Sequence, residues 1–391
     1  MREMEPLGPG STTAPPVPQR GLERLAIAGG GTGGHVYPAV ALAETIREVR
    51  PGVDVLFIGT AAGCEAEIAP AEGLRFAAVP AAPFYGVGWL ERARTLSHVV
   101  RGVTAARRLL RAERIDLVLG LGGFASAGAV LAARSLGIPT VLHEANATAG
   151  LANRRLARVV DRVLLGFASA AADFPTLSVT TGTPVRRALL DVGARRTAWT
   201  RDGGRPFRLL VLGGSQGSAF LNASAPELVA ALVRARVPVG VQHQTGTDEL
   251  APIRAAYARA GVAAELSPYL HDIGSAYERA DFAVTCAGAC TLAELAAVRL
   301  PALVVPLARA ARGHEVENAR AAADDAGVWW TTEAAWNATA LARRIAALAA
   351  GGTAWREASA RMGQASAPAA GARILAACEE IFAARRDRPL P

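Results

Sequence analysis

The chain has 391 residues, of which 51% are hydrophobic, so it can bury two cores and is not a disordered polymer. Its 42 basic side chains, all of them arginine, exceed 34 acidic ones and leave a net charge of +8. That balance calls for an anionic partner. Nucleic acid is disfavoured, because aromatic residues are few (5%) and no basic run, zinc-finger spacing or RNA-binding motif occurs.

Residues 1–21 hold Pro, Gly and Ser without an apolar core, which predicts a disordered tail rather than a signal peptide or an anchor. Short apolar runs then alternate with Ala/Arg-rich helical stretches: "RLAIAGG", "DVLFIGT", "LVLGLGG", "TVLHEAN" and "RVLLGFA" read as strands. The alternation predicts a parallel sheet with helices on both faces. The longest uncharged run, "LVLGLGGFASAGAVLAA", is glycine-broken and short of the ~20 residues a spanning helix needs, so a soluble chain is expected. The pattern pauses across "TTGTPVRRALLDVGARRTAWTRDGGRP" and resumes with "FRLLVLGGSQGS", "VGVQHQTG", "AAELSPYL", "DFAVTCAG" and "PALVVPLA". This predicts two domains, residues 22–185 and 186–369, with a final amphipathic helix at about 370–391 belonging to the first. Cys64, Cys286, Cys290 and Cys378 form no CxxC pair and read as reduced thiols, without a disulfide frame or zinc site.

Each half opens with a strand that runs into a glycine loop. In "AIAGGGTGGHVYPAVALA" (26–43), Gly29, Gly31 and Gly34 satisfy GxGxxG, a turn that offers backbone N–H groups and a helix N-terminus to a phosphate. A dinucleotide site also needs an acid at the end of the second strand, but "VDVLFIGT" ends in Gly59 and Thr60. A P-loop needs lysine, and the chain has none. The second loop, "LGGSQGSAFLN", adds the donors Ser215, Gln216 and Ser218 to Gly213, Gly214 and Gly217. Two such cradles facing one cleft suit two phosphorylated substrates. No metal-ligand cluster of DxD type is recognisable, so neither a cofactor nor an essential metal is expected.

"GGGTGGHVYPAVALA", "GLGGFASAGAV", "HEANATAGLANR", "GTPVR", "LGGSQGS", "HQTG", "GACTLAELAAVRLPALVVPL" and "HEVENA" follow one another over residues 25–320. Together they resemble the MurG family of glycosyltransferases. The resemblance implies an α/β chain of GT-B architecture: two Rossmann-like domains with parallel sheets facing across a cleft, and a C-terminal helix crossing back to the first domain. It implies inverting transfer of N-acetylglucosamine from UDP-GlcNAc to the 4-hydroxyl of the muramyl sugar in lipid I (undecaprenyl-diphospho-MurNAc-pentapeptide), forming lipid II. Loss of UDP is eased by N–H groups, a helix dipole and cations rather than by covalent catalysis.

By the same resemblance, Arg186, Ser215, Gln216 and Gly217 meet the donor diphosphate and Glu294, read as opening a helix, takes the ribose hydroxyls. Leu270 lies against uracil, and His314, Glu315 and Asn318 contact the sugar. Thr32, Gly33 and Gly34 receive the lipid diphosphate, with Phe124 and Asn146 beside the acceptor. His35 is the candidate general base, its ordinary pKa suiting proton transfer near neutrality. Glu144 is the rival base. Plainer readings stand beside these: Arg186 as a solvated partner of Asp191, and Glu294 as a first-turn glutamate.

A lipid-linked acceptor also implies an anionic membrane surface as partner, at the cytoplasmic face of a bacterial membrane. Phe84, Tyr85, Trp89 and Leu90, followed by Arg92, Arg94, Arg101, Arg107, Arg108 and Arg111, fit such a patch. The same stretch also suits a helix with a core stripe and a solvated basic face. The chain departs from the family pattern at Thr183, Cys286–Ala287, Phe124 and Glu315, the last replacing an amide by a group that only accepts when ionised. Alternatives are a related transferase with another sugar or acceptor, a UDP-GlcNAc epimerase of similar architecture, and a catalytically silent binder of the lipid-linked precursor.

Overall fold

The computed structural model describes residues 21–31, 33–81, 89–174, 177–198, 201, 204–214, 216–308 and 313–386; the side chains of 89–99 and of Phe124 lie outside that description. The first half runs β1 (Arg24–Gly29), α1 (Gly33–Val49), β2 (Asp54–Gly59), α2 (Glu65–Ala71), β3 (Arg75–Ala78), α3 (Trp89–Ala112), β4 (Leu117–Gly122), α4 (Gly123–Ser135), β5 (Thr140–Glu144), α5 (Leu151–Leu156), β6 (Arg162–Leu165) and β7 (Ser178–Thr180). Then α6 (Arg187–Arg196) leads to β8 (Phe207–Leu212), α7 (Ala219–Arg234), β9 (Val239–Gln244), α8 (Leu250–Arg259), β10 (Ala264–Ser267), α9 (Ile273–Arg279), β11 (Phe282–Thr285), α10 (Ala289–Ala297), β12 (Ala302–Val304), α11 (His314–Ala326) and β13 (Trp329–Trp330). Three helices close the chain: α12 (Ala338–Ala349), α13 (Gly352–Gln364) and α14 (Ala370–Arg386).

The strands form two parallel sheets, ordered β3-β2-β1-β4-β5-β6-β7 and β10-β9-β8-β11-β12-β13. The apolar runs explain this: β4 and β5 are buried along their whole length, as strands covered on both faces must be. Helices α3 and α4 cover one face of the first sheet, while α1, α2 and α14 cover the other. Ile374, Leu375, Cys378, Ile381 and Phe382 of α14 complete that second core, and Arg385 pairs with Asp161 at 2.6 Å. In the second sheet α7, α8 and α12 cover one face and α6, α9, α10 and α11 the other.

The elements that the alternation did not reveal are β3, β7 and β13. They are edge or near-edge strands of two to four residues, too short for a period to register and not buried throughout. The pause at 180–206 contains α6, whose Leu189 and Val192 join the second half's core.

In both sheets the strand order reverses beside the opening strand, between β1 and β4 and between β8 and β11. Ligands of open parallel sheets bind at such switch points, outside the carboxyl ends of the strands. Both glycine loops leave those ends.

Candidate active site

On the first sheet, the loop after β1 turns into α1 at Gly33, and His35 stands in that helix's first turn. His35 Nδ1 lies 2.9 Å from the Gly30 carbonyl oxygen. A carbonyl only accepts, so the hydrogen is on Nδ1 and Nε2 is the ring's basic nitrogen. Burial lowers the pKa of this imidazole, partly opposed by the Gly30 carbonyl and by the charges of Glu144 and Glu65. The turn after β4 closes over it. Gly122 (φ 105°) and Gly123 (φ 80°) adopt left-handed torsions, and added Cβ atoms would lie 2.9 Å from His35 Nε2 and 2.3 Å from the Gly30 oxygen. Glycine is required at both.

Glu144 ends β5 and is 2% exposed. Its Oε1 accepts from the Asn146 amide (3.0 Å) and Nδ2 (2.8 Å), and its Oε2 from the Gly150 amide (2.9 Å) and Asn153 Nδ2 (2.9 Å). Four donors fill this carboxylate and hold the loop after β5 in shape.

On the second sheet, Ser218 caps α7 by accepting from the Leu221 amide at 3.2 Å, and Gln216 stands exposed at the loop tip. Gly217 (φ 80°) packs against the Thr245 carbonyl, where an added Cβ would approach to 2.3 Å. Arg186 caps α6 and reaches Glu294 Oε1 at 3.3 Å. Tyr277 donates its hydroxyl to Glu294 Oε2 at 3.1 Å. Burial raises the Glu294 pKa, against the pull of Arg186 and Tyr277. Among the described residues, Arg186 Nε is buried without a hydrogen-bond partner. Asp191 is paired by Arg187 instead, which removes the solvated-partner reading of Arg186. Glu294 is the sixth residue of α10 rather than its opening one, so the helix dipole does not account for it. Leu270 packs against the core of the second half that Leu189 and Val192 join.

Contacts across the cleft draw the two halves together. Cys290 of α10 donates its thiol to the Gly34 carbonyl at 3.0 Å, and the hydroxyls of Tyr37 and Tyr269 are 2.5 Å apart. The Arg186 guanidinium sits 4.2 Å from the centre of the Tyr37 ring. His314 Nδ1 lies 2.9 Å from Thr148 Oγ1.

Residues 25–165 match the N-terminal domain of glycosyltransferase family 28, and residues 208–373 match its C-terminal domain. The chain belongs to glycosyltransferase family 28. A curated UDP-N-acetylglucosamine–N-acetylmuramyl-(pentapeptide) pyrophosphoryl-undecaprenol N-acetylglucosamine transferase of Geobacter sulfurreducens is 39% identical over 297 residues, 76% of this chain and 81% of that protein. Its namesake in Aeromonas hydrophila is 39% identical over 325 residues, 83% and 88% of the two chains. Among solved structures, MurG of Acinetobacter baumannii aligns with a TM-score of 0.71 at 26% identity, covering 92% of this chain and 99% of that one. A UDP-N-acetylglucosamine 2-epimerase of Listeria monocytogenes aligns at 0.65 but with 14% identity over 94% and 98% of the chains, a likeness of fold alone.

Within this family 28 chain, two residues expected on the donor sugar also make bonds within the protein. Asn318 is 1% exposed; its Oδ1 accepts from the Ala147 amide (2.8 Å), and its Nδ2 donates to Asn146 Oδ1 (3.1 Å) and the Ala287 carbonyl (3.0 Å). It clasps the loop after β5 to the loop after β11. Glu315 Oε2 accepts from the Leu307 amide (2.8 Å) and the Ala287 amide (3.3 Å). Sequence reasoning missed Tyr37 and Tyr269, which meet across the cleft, and Tyr277, which bonds Glu294 within the second half, because no local pattern marks an aromatic residue whose hydroxyl finds a distant partner. Thr32 and Ser215 lie outside the described residues, as do Phe84 and Tyr85 and the side chains of Trp89, Leu90 and Phe124.

Proposed function

We propose that this family 28 enzyme transfers N-acetylglucosamine from UDP-N-acetylglucosamine to the 4-hydroxyl of the muramyl sugar of undecaprenyl-diphospho-MurNAc-pentapeptide, with inversion, to give lipid II. One observation carries the reading. The Cys290–Gly34 contact seats the α10 end of the second half directly against the glycine loop that bears His35. The acceptor oxygen attacks C1 of the donor sugar as the C1–O bond to the diphosphate breaks. The hydroxyl proton passes to His35 Nε2, and the electron pair leaves with UDP.

His35 is favoured over Glu144 as base because its tautomer presents a basic nitrogen, whereas four donors already occupy the carboxylate. Glu144 then acts by shaping its loop. Arg186, with an unpaired buried Nε–H, and the loop that carries Gln216 and Gly217 receive the leaving diphosphate. Glu294 and Tyr277 orient Arg186, with Glu294 also placed for the ribose and Leu270 for the uracil. Thr32, Gly33 and Gly34 hold the lipid diphosphate at the first turn of α1. Asn146 aligns the acceptor side while Asn318 and His314 keep the halves in register.

UDP release should require both UDP-GlcNAc and a soluble lipid I analogue, with UDP-GalNAc and UDP-glucose far poorer donors. Turnover of UDP-GlcNAc without the analogue would support an epimerase instead, and no turnover under any condition a silent binder.

The acceptor's lipid tail places the enzyme at the membrane surface. No helix among the described residues is long and apolar enough to cross a bilayer. The described end of α3 turns Arg101, Arg108 and Arg111 outward beside an exposed Val100, with Ala106 and Leu110 in the core. Attraction to anionic lipid is worth about 1 kcal/mol per arginine near the surface. Co-sedimentation with vesicles should therefore rise with anionic lipid and fall with salt; binding indifferent to both would remove this surface from the account.

A further inference from the structure

The acid that a dinucleotide site would place at the end of the second strand is missing at Gly59 and Thr60, yet the fold delivers one there. The chain leaves β2, turns through Gly63 and opens α2 with Glu65, a carboxylate that is 0% exposed. Its Oε1 accepts from the Thr60 amide (2.9 Å) and the Thr60 hydroxyl (2.7 Å). Its Oε2 accepts from the Gly31 amide (3.1 Å), inside the first glycine loop. Among the described residues no cation pairs with it. Burial opposes its charge, but the Thr60 hydroxyl and the backbone amides outweigh that and hold the carboxyl below its usual range.

Three glycines make room for it. A Cβ added at Gly63 would lie 2.1 Å from Oε2, one at Gly30 2.4 Å from Oε1, and one at Gly59 2.5 Å from Cγ. A buried, unpaired carboxylate is costly unless donors surround it, and here the donors belong to the loop end of β2 and to the loop that leads into His35.

We infer that Glu65 is a positioning residue for acceptor binding: it anchors Gly31 from beneath, so that the first turn of α1 presents its amides and His35 to the cleft. This rests on the assignment of the first glycine loop to the acceptor diphosphate. The Gly31 N–H is turned inward and is no ligand donor. The amides of Gly33 and Gly34, which have no intrahelical acceptor, are left to face an anion. Gly31 is two residues from the first of these and four from His35, so freeing it loosens both.

The test uses E65Q and G63A in the full-length enzyme. In E65Q an amide replaces the carboxylate, and its NH2 group must oppose either the Gly31 N–H or the Thr60 donors. In G63A the new methyl displaces Oε2, while the Gly63 backbone itself has a torsion any residue accepts. KM for the soluble lipid I analogue should rise about tenfold or more, the scale of one lost hydrogen bond to a charged group. KM for UDP-GlcNAc should stay within about twofold. Hydrogen exchange of segment 29–34 should quicken in both variants. If E65Q does not fold, G63A carries the same comparison.

An acceptor KM that is unchanged or lower in the folded variants overturns the inference. A bare charge effect would lower it, because a negative charge near a diphosphate is being removed. Equal rises in both KM values, or unchanged exchange at 29–34, overturn it as well. Absence of acceptor-dependent UDP release in the unmodified enzyme would instead strike the proposed function, and the exchange comparison would still decide whether Glu65 anchors the loop.

Discussion

Replacing His35 by alanine should lower kcat by about 10²–10⁴, the usual worth of a positioned general base. KM for UDP-GlcNAc should remain within about twofold. The residue's place explains why the loss falls on kcat. His35 sits in the first turn of α1, its Nδ1 committed to the Gly30 carbonyl, so the proton-accepting nitrogen is fixed by a bond made before substrate arrives. The charges of Glu144 and Glu65 support protonation while burial opposes it, and burial prevails, so the pKa lies below the ordinary 6.5. A base with a lowered pKa is in its working, neutral form at pH 7. Activity is lost only as the pH falls through that lowered value. The acid limb of kcat/KM should therefore lie below pH 6.5 in the unmodified enzyme and vanish from the residual activity of H35A. H35A turnover within about twofold of the unmodified enzyme would pass the role of base to another group.

The largest effect on stability is expected far from the cleft, at Asp281. This residue is 0% exposed at the start of β11 and accepts from Arg205 at 2.9 and 2.6 Å and from the Arg208 amide at 2.9 Å. Arg201 lies 3.6 Å away, and the buried Trp355 donates its indole N–H to the Asp281 carbonyl at 2.8 Å. Asp281→Ala would remove a negative partner from the buried Arg201 and leave the Arg208 amide without its acceptor. Removing one partner of a buried pair costs about 3–5 kcal/mol; Arg205, about a third exposed, recovers some of its hydration and places the expected loss near the lower end. Urea denaturation followed by tryptophan fluorescence would measure it, since Trp355 packs beside the network. The cluster lies at the amino ends of the strands, opposite both glycine loops, so KM values of the folded fraction should not change. A loss below about 1 kcal/mol would mean that water reaches the arginines in the variant.

The parallel sheets and the two glycine loops were legible because their causes are local. Apolar runs of four to six residues specify buried strands, and glycine-dense turns specify where backbone must pass close to backbone. His35 was legible as a candidate because it follows the first glycine turn, Glu144 because it stands at the end of a strand, and Arg186 through the resemblance that "GTPVR" carries. Their duties were less so. Glu294 and Arg186 are 108 positions apart, and Ala147 and Asn318 are 171 apart; no period or spacing records such pairs.

The sequence by itself thus determined the two α/β halves, the pair of glycine loops that open them and the family to which their order belongs. Only the tertiary structure decided which side chains meet. It engaged Asn318 in a clasp between the halves, set Glu315 on backbone amides, filled Glu144 with donors and brought Glu65 beneath the loop that lacked its acid. The physical reason is one of range. Strand and turn preferences act over a few residues, whereas the partner of a polar side chain is chosen by packing, which must satisfy every buried donor and acceptor that the fold brings together.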